Sequence, residues 1–329
     1  MARKGVTFIG LLLFVALTLS ACRAAPEPTP PPEAISLGVG EPKAVTPDGQ
    51  TLLVVRTTED RNEAWLVAND GSTSHKVFDF TSPTFYAAFS PAGEHLVLVA
   101  DKMWLAKADG SEQRVLLERE EGLGPIAWSP TGQEIAFVAE EEIGVVNLAG
   151  EVRRVAAAPE SVLDLEWVRL PSGEERLFLN SLPAEEPPFV ASISIANGQL
   201  QRLAAAEFFS VAGDQLYLSD PLGEGRLWVV NATDGSNART IVDSQVRDFV
   251  VRPEHQEEVA ILQQTGELQY DLLLVPSPGA TPTPLTSGSL AISPLWAPDG
   301  KILYFSAFDL EAPDEVDDPF TVMKLDLSQ

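Results

Sequence analysis

The chain is poor in the residue types that carry most active-site chemistry. Of 329 residues one is cysteine, Cys22, and three are histidine, His75, His95 and His255. One cysteine excludes an internal disulfide framework and every multi-cysteine metal site. The histidines fall at separate points of the chain. The sequence has no HExxH, no CxxC, no phosphate-binding glycine loop and no Gly-x-Ser-x-Gly elbow. Basic residues are scarce as well: 22 Lys and Arg stand against 48 Asp and Glu, a formal charge of −26. Binding of phosphate backbones needs a basic footprint, so nucleic acid is excluded as a partner. Long hydrophobic runs are confined to residues 6–19.

What the chain does have is a repeat, and a repeat decides the fold before any single residue does. Its clearest unit spans residues 126–150. An aromatic strand end (Trp128) leads to a Ser-Pro-x-Gly turn. An apolar strand (135–139), an acidic loop, a second apolar strand and a turn at Gly150 follow. The turn recurs as Thr46-Pro47-Asp48-Gly49, Ser90-Pro91-Ala92-Gly93 and Ala297-Pro298-Asp299-Gly300. Looser copies lie at Pro171-Ser172-Gly173, Ala212-Gly213-Asp214 and Arg252-Pro253-Glu254. Seven anchors at a period of about 42 residues result.

Each anchor precedes a short apolar run, such as Leu52-Leu53-Val54-Val55 or Leu96-Val97-Leu98-Val99. These runs are too short for helices and do not alternate, which predicts strands buried on both faces. Hairpin chemistry follows at Asn69-Asp70-Gly71, Ala108-Asp109-Gly110, Asn197-Gly198 and Thr233-Asp234-Gly235, where glycine accepts positive φ without a steric cost. Four-stranded units at this period predict an all-β, seven-bladed β-propeller, with six or eight blades left open because unit five lacks the Pro and unit four carries a longer insert (Ser181 to Pro188). The six tryptophans fall in two phases of the unit, Trp128, Trp167 and Trp296 before the turn and Trp65, Trp104 and Trp228 in the third strand, as blade packing requires.

The SPDG turn, the apolar strand and the closing Asp-Gly turn resemble the WD40-like repeats of TolB-type β-propellers. Similar repeats form the propeller of the dipeptidyl-peptidase IV and prolyl oligopeptidase families, whose hydrolase half has no counterpart here. The resemblance covers nearly all of residues 35–329. It implies protein partners met at the disc face or the central channel, an implication from fold alone.

The first 21 residues read as an export signal. Arg3 and Lys4 precede the apolar stretch, which ends in Leu19-Ser20-Ala21-Cys22. This matches a bacterial lipobox, so Cys22 is expected to be lipidated and to become the new N-terminus. The mature charge is then −28, since Arg3 and Lys4 leave with the signal. Residues 22–34, with Pro26, Pro28, Pro30, Pro31 and Pro32, form an extended tether. The expected location is the outer face of the cell membrane, or the outer membrane where the cell has two. The last unit has only three strands of its own, so residues 35–39 are expected to supply its outer strand and close the ring.

Acidic residues gather in the loops between second and third strands: Glu59, Asp60, Glu140, Glu141 and Glu142, and above all Asp309, Asp314, Asp317 and Asp318. These loops leave one face of the disc and should draw cationic partners. From these features the chain is expected to be a monomeric, non-catalytic envelope lipoprotein without a cofactor. It would display its propeller to envelope proteins and meet the membrane through the lipid on Cys22. Two alternatives stay open: a hydrolase or lyase with carboxylates converging on the channel mouth, and a small-ligand or calcium sensor centred on residues 309–318.

Overall fold

The computed structural model describes residues 31–82, 85–120, 122–220, 223–243, 245–266, 269–308 and 318–328. Cys22 and the signal lie outside the described residues, as do Asp309, Asp314 and Asp317. The described residues form seven antiparallel sheets of four strands each and no helix. Blades 1 to 6 span residues 41–80, 86–117, 126–157, 162–204, 208–242 and 246–284. Blade 7 takes three strands from residues 291–326 and its outermost strand from Ile35–Val39, which pairs antiparallel with Phe320–Asp326. The seven-bladed ring and its closure by the N-terminal strand are therefore as the repeat predicts.

The core is divided. Seven apolar clusters each lie between two neighbouring blades, the last between blades 7 and 1. This explains why the second strands carry a continuous apolar run. In His95–Val99, Leu96 and Leu98 enter the cluster shared with blade 1, while Val97 and Val99 enter the one shared with blade 3. In Glu134–Ala139 the same alternation sends Ile135 and Phe137 one way and Ala136 and Val138 the other. Period-2 geometry is intact; both faces are simply inside.

The Pro turns are copies of one hydrogen-bonded device. Gly49, Gly93 and Gly132 each donate from the backbone to the carbonyl three residues back, all at 2.8 Å. The preceding Ser or Thr hydroxyl accepts from the far side of the turn: Thr46 Oγ1 from the Thr51 amide at 3.0 Å, Ser90 Oγ from the His95 amide at 3.0 Å, Ser129 Oγ from the Glu134 amide at 3.1 Å. The glycines sit at φ of 71°, 71° and 68°, where a Cβ is strained. Two tryptophans bridge blades at the same level. Trp128 Nε1 donates to the Ala88 carbonyl at 3.0 Å, and Trp296 Nε1 to the Val250 carbonyl at 3.2 Å.

At the ring seam, Gly40 takes φ of 123° to pass from blade 7 to blade 1, and a Cβ there would stand 2.5 Å from Val54 Cγ1. Its amide donates to the Phe320 carbonyl at 2.8 Å. Asp318 is buried at the same seam. Its carboxylate accepts from the Thr57 amide at 2.9 Å and the Phe320 amide at 3.0 Å, so it joins the ring's two ends.

Candidate functional site

The first strand of every blade touches the first strand of the next, all the way round. These seven inner strands surround the ring axis. Each runs from the face of the acidic loops toward the face of the Pro turns, so its opening residues stand at the channel mouth on the acidic side. Aligned on the residue of the Trp128 phase, the mouth positions are Tyr86 in blade 2, Asp164 in blade 4, Phe208 in blade 5, Asp248 in blade 6 and Ser293 in blade 7. One level deeper lie Ala88, Ala127, Glu166, Ser210 and Val250.

Irregularities in the strands set these side chains. The ladder of blade 4 slips between Val162 and Leu165, and that of blade 6 between Val246 and Asp248. A bulge re-aims the side chains beside it. In blade 4 the bulge is held by Asn180, which has no solvent exposure. Its Oδ1 accepts from the Leu163 amide at 3.3 Å and the Asp164 amide at 2.8 Å, and its Nδ2 donates to the Glu207 carbonyl at 2.6 Å. Asp164 and Asp248 then adopt matching poses: each accepts from the next residue's amide, Leu165 or Phe249, at 2.8 Å.

Asp164 stands on the inner strand of blade 4, one of the seven that ring the axis. Its charge adds to the upward push on the Tyr86 hydroxyl in blade 2, the Glu166 carboxyl in blade 4 and the Asp248 carboxyl in blade 6. Burial is the larger cause in each case. Loss of water pushes Glu166 up to about 8, the Asp164 charge adds to the push, and hydrogen bonds from the Val211 amide (3.1 Å) and Ser210 oppose it. Burial likewise holds Asp248 at about 6 and Asp164 above the usual carboxylate range. Asp164 is hemmed in by protein yet reached by solvent, as a channel wall allows; that water softens its field. No Lys or Arg is among the groups acting on these three carboxyls.

Around the mouth, Glu59, Asp60, Glu140 and Glu141 are exposed, and Glu142 pairs with Arg119 at 3.3 Å. An open groove of about 510 Å³, lined by Asp101, Glu140, Ser161 and Val162 among others, leads from the rim to the start of blade 4's inner strand. A larger one of about 640 Å³ lies farther out, along Asp60, Asp79, Phe80 and Asp101. Asp79 there is held by Lys76 at 3.0 Å. Of the acids singled out in the sequence, Asp318 is not on the surface, and none of the described ones lies on an inner strand. The residues missed were Asp164, Glu166 and Asp248. Their signal was charge inside the strand just before a Trp-phase position, where blades 2 and 3 carry Ala87, Ala88 and Ala127.

No protein-family model and no curated protein matches the chain. Solved structures match its fold. An oligogalacturonate lyase from Vibrio parahaemolyticus is 9% identical, with 90% of this chain and 93% of that one aligned at a TM-score of 0.69. A prolyl endopeptidase is 12% identical at a TM-score of 0.63; 89% of this chain aligns with only 49% of that one, so the chain spans about half its length. TolB from Acinetobacter baumannii is 14% identical at a TM-score of 0.49, with 84% and 79% aligned, too far to carry an argument. At these identities the likeness shows the fold alone. It nevertheless corrects the expectation of a non-catalytic chain. Enzymes are built on this same ring, and absent sequence motifs do not speak for a site assembled from several blades.

Proposed function

We propose that the chain is an exported lipoprotein, held to an envelope membrane through Cys22, and that its propeller of TolB-like repeats works through the channel mouth. There Glu166, Asp248 and Asp164 form an acid–base site for a hydrolase- or lyase-type reaction. The observation that carries this reading is the placing of three carboxyls, Asp164, Glu166 and Asp248, on inner strands of blades 4 and 6, within the ring of first strands that surrounds the axis. Neighbouring carboxyls with unlike proton affinities divide into acid and base. Glu166, held at about 8, keeps its proton at neutral pH and serves as donor; Asp248, at about 6, is mostly ionised and serves as acceptor. The surrounding acids disfavour a polyanion such as the oligogalacturonate named for the Vibrio protein, so a neutral or cationic substrate fits better.

The test is a turnover screen of the purified chain on neutral and amine-bearing polysaccharides and peptides, reading new reducing ends, unsaturated products and new amines. Activity lost in both Asp164→Asn and Asp248→Asn, with melting unchanged, supports the reading. Activity that survives both substitutions, or none on any substrate, overturns it.

A second reading concerns the rim. The exposed acids Glu59, Asp60, Glu140 and Glu141 support docking of an envelope protein with a basic surface. Crosslinking from intact membranes, with these four neutralised in a parallel sample, tests it; recovery of the same partners from both samples counts against it.

A further inference from the structure

The outer strand of blade 7 is held differently from the other six. Each of those continues from its neighbour in the same sheet, as Ser74–Phe80 follows Asn62–Ala68 through the turn at Gly71. Ile35–Val39 belongs to blade 7 by pairing alone and is joined in sequence to blade 1, whose first strand begins at Glu41. Gly40 makes the whole connection. It lies at φ of 123°, and a Cβ on it would come within 3.0 Å of Val54, Val55 and Arg56. The strand's grip on its sheet is slight. Its ladder to Phe320–Asp326 slips between Ser36 and Gly38. Leu37 is its one buried side chain, in the cluster of Val67, Tyr304 and Val322. Ile35 is 58% exposed and Val39 45% exposed.

Blades 7 and 1 are also tied by bonds in which the strand takes no part. Asp318 accepts from the Thr57 amide at 2.9 Å, the Lys324 ammonium donates to the Asn69 carbonyl at 3.0 Å, and the Ser293 hydroxyl donates to the Glu41 carboxylate. The strand can therefore leave without every tie at the seam being broken. A weakly held end strand on a short, crowded connection favours exchange between copies. Straightening the connection relieves the crowding at Gly40, and the pairing lost in one copy is remade in the other. We propose that Ile35–Val39 is an exchangeable strand, and that in a pair of chains each copy seats this strand on the Phe320–Asp326 edge of the other. The partner is a second copy because the seat is fitted to this segment. Leu37 enters the same apolar cluster, and the Val39 carbonyl meets the same Arg56 guanidinium, 3.1 Å away in the single ring. Exchange is reciprocal, so the pair closes on a two-fold axis and leaves neither sheet edge open. The inference does not draw on the chemistry of the channel mouth.

Ser36 and Met323 are partners in the ladder and supply the test. The full chain carrying Cys22→Ser, Ser36→Cys and Met323→Cys is refolded at low and at high concentration, oxidised, and run on a denaturing gel without reductant. In a single ring the new disulfide lies within one chain; after exchange it joins two. We expect a species of twice the chain mass that disappears on reduction and whose share rises with refolding concentration. Ser36→Cys or Met323→Cys alone, in the Cys22→Ser chain, should give far less of it. Inserting Gly-Ser-Gly after Gly40 relaxes the connection and should lower the share several-fold, while Gly40→Ala crowds it further and should raise it. A crosslink confined to single chains at every concentration overturns the inference. So does an equal share of linked pairs in the single-cysteine chains, or a share that the insertion leaves unchanged. The insertion decides where Gly40→Ala does not fold.

Discussion

The two faces of the propeller are built by different rules. On the Pro-turn face, one device is repeated from blade to blade with hydrogen bonds that agree to about 0.1 Å, and its Ser, Thr and Gly residues each have a local structural task. On the acidic face the blades open differently. Inner-strand ladders slip in blades 1, 4, 6 and 7 but not in blades 2, 3 and 5, and Asp, Glu, Tyr and Phe stand at positions filled elsewhere by smaller residues such as Ala, Pro and Ser. A repeat protein shows its scaffold where the units agree and its candidate site where they differ. Glu166 and Asp248 are partly withdrawn from water, which raises their proton affinities, and no Lys or Arg is among the groups that act on them.

The comparison can be broken or sharpened by substitution. The largest effect should come from what both faces share, the closed ring. Removing Ile35–Val39 takes away the outer strand of blade 7 and the buried Leu37, and exposes the edge at Phe320–Asp326. We expect a loss of several kcal/mol, enough to broaden or abolish cooperative melting; a chain that melts unchanged would show that the seam closes without it. Next is Asn180→Ala, which orphans two amides and a carbonyl behind the blade 4 bulge. It should destabilise by about 3–5 kcal/mol by chemical denaturation. A loss below about 1 kcal/mol would mean that the bulge holds itself.

Glu166→Gln comes third, and its sign depends on pH. The native carboxyl keeps its proton up to about 8, while the unfolded one releases it near the ordinary glutamate value of 4.5. Wild-type stability therefore falls as pH rises across that window, and Asp248 adds to the fall between 3.8 and about 6. Glutamine cannot ionise and still accepts from the Val211 amide. The variant should gain on wild type by up to a few kcal/mol between pH 5 and pH 9. Melting curves that shift in parallel across this range would contradict the buried-carboxyl account. The smallest effect belongs to the repeated face. Ser129→Ala removes one turn acceptor and should cost about 1 kcal/mol by chemical denaturation. A loss of several kcal/mol would show that the turn also supports the packing between blades.

Much of the fold was legible in the sequence because its determinants are local. The Pro-turn spacing, the fully apolar second strands and the Asp-Gly hairpins recur within each unit, and the missing fourth strand of the last unit pointed to Ile35–Val39. Trp128 and Trp296 also lie buried between blades, as their shared phase implied. The site was less legible. Loop acids such as Glu140 and Glu141 stand out in a sequence because they cluster, whereas Asp164 and Asp248 are single residues in apolar strands, 84 positions apart. Asp318 shows the opposite error: its neighbours in sequence suggest a solvated acidic loop, and the ring seam draws it inside.

By itself, then, the sequence determined the strands, their number per blade, the number of blades and where the ring closes, because each follows from a period of two along a strand or about 42 along the chain. Only the tertiary structure decided which acids meet. Closure of seven blades brings the inner strands of blades 2, 4 and 6 around one axis, and burial there, far more than identity, sets the proton affinities of Asp164, Glu166 and Asp248.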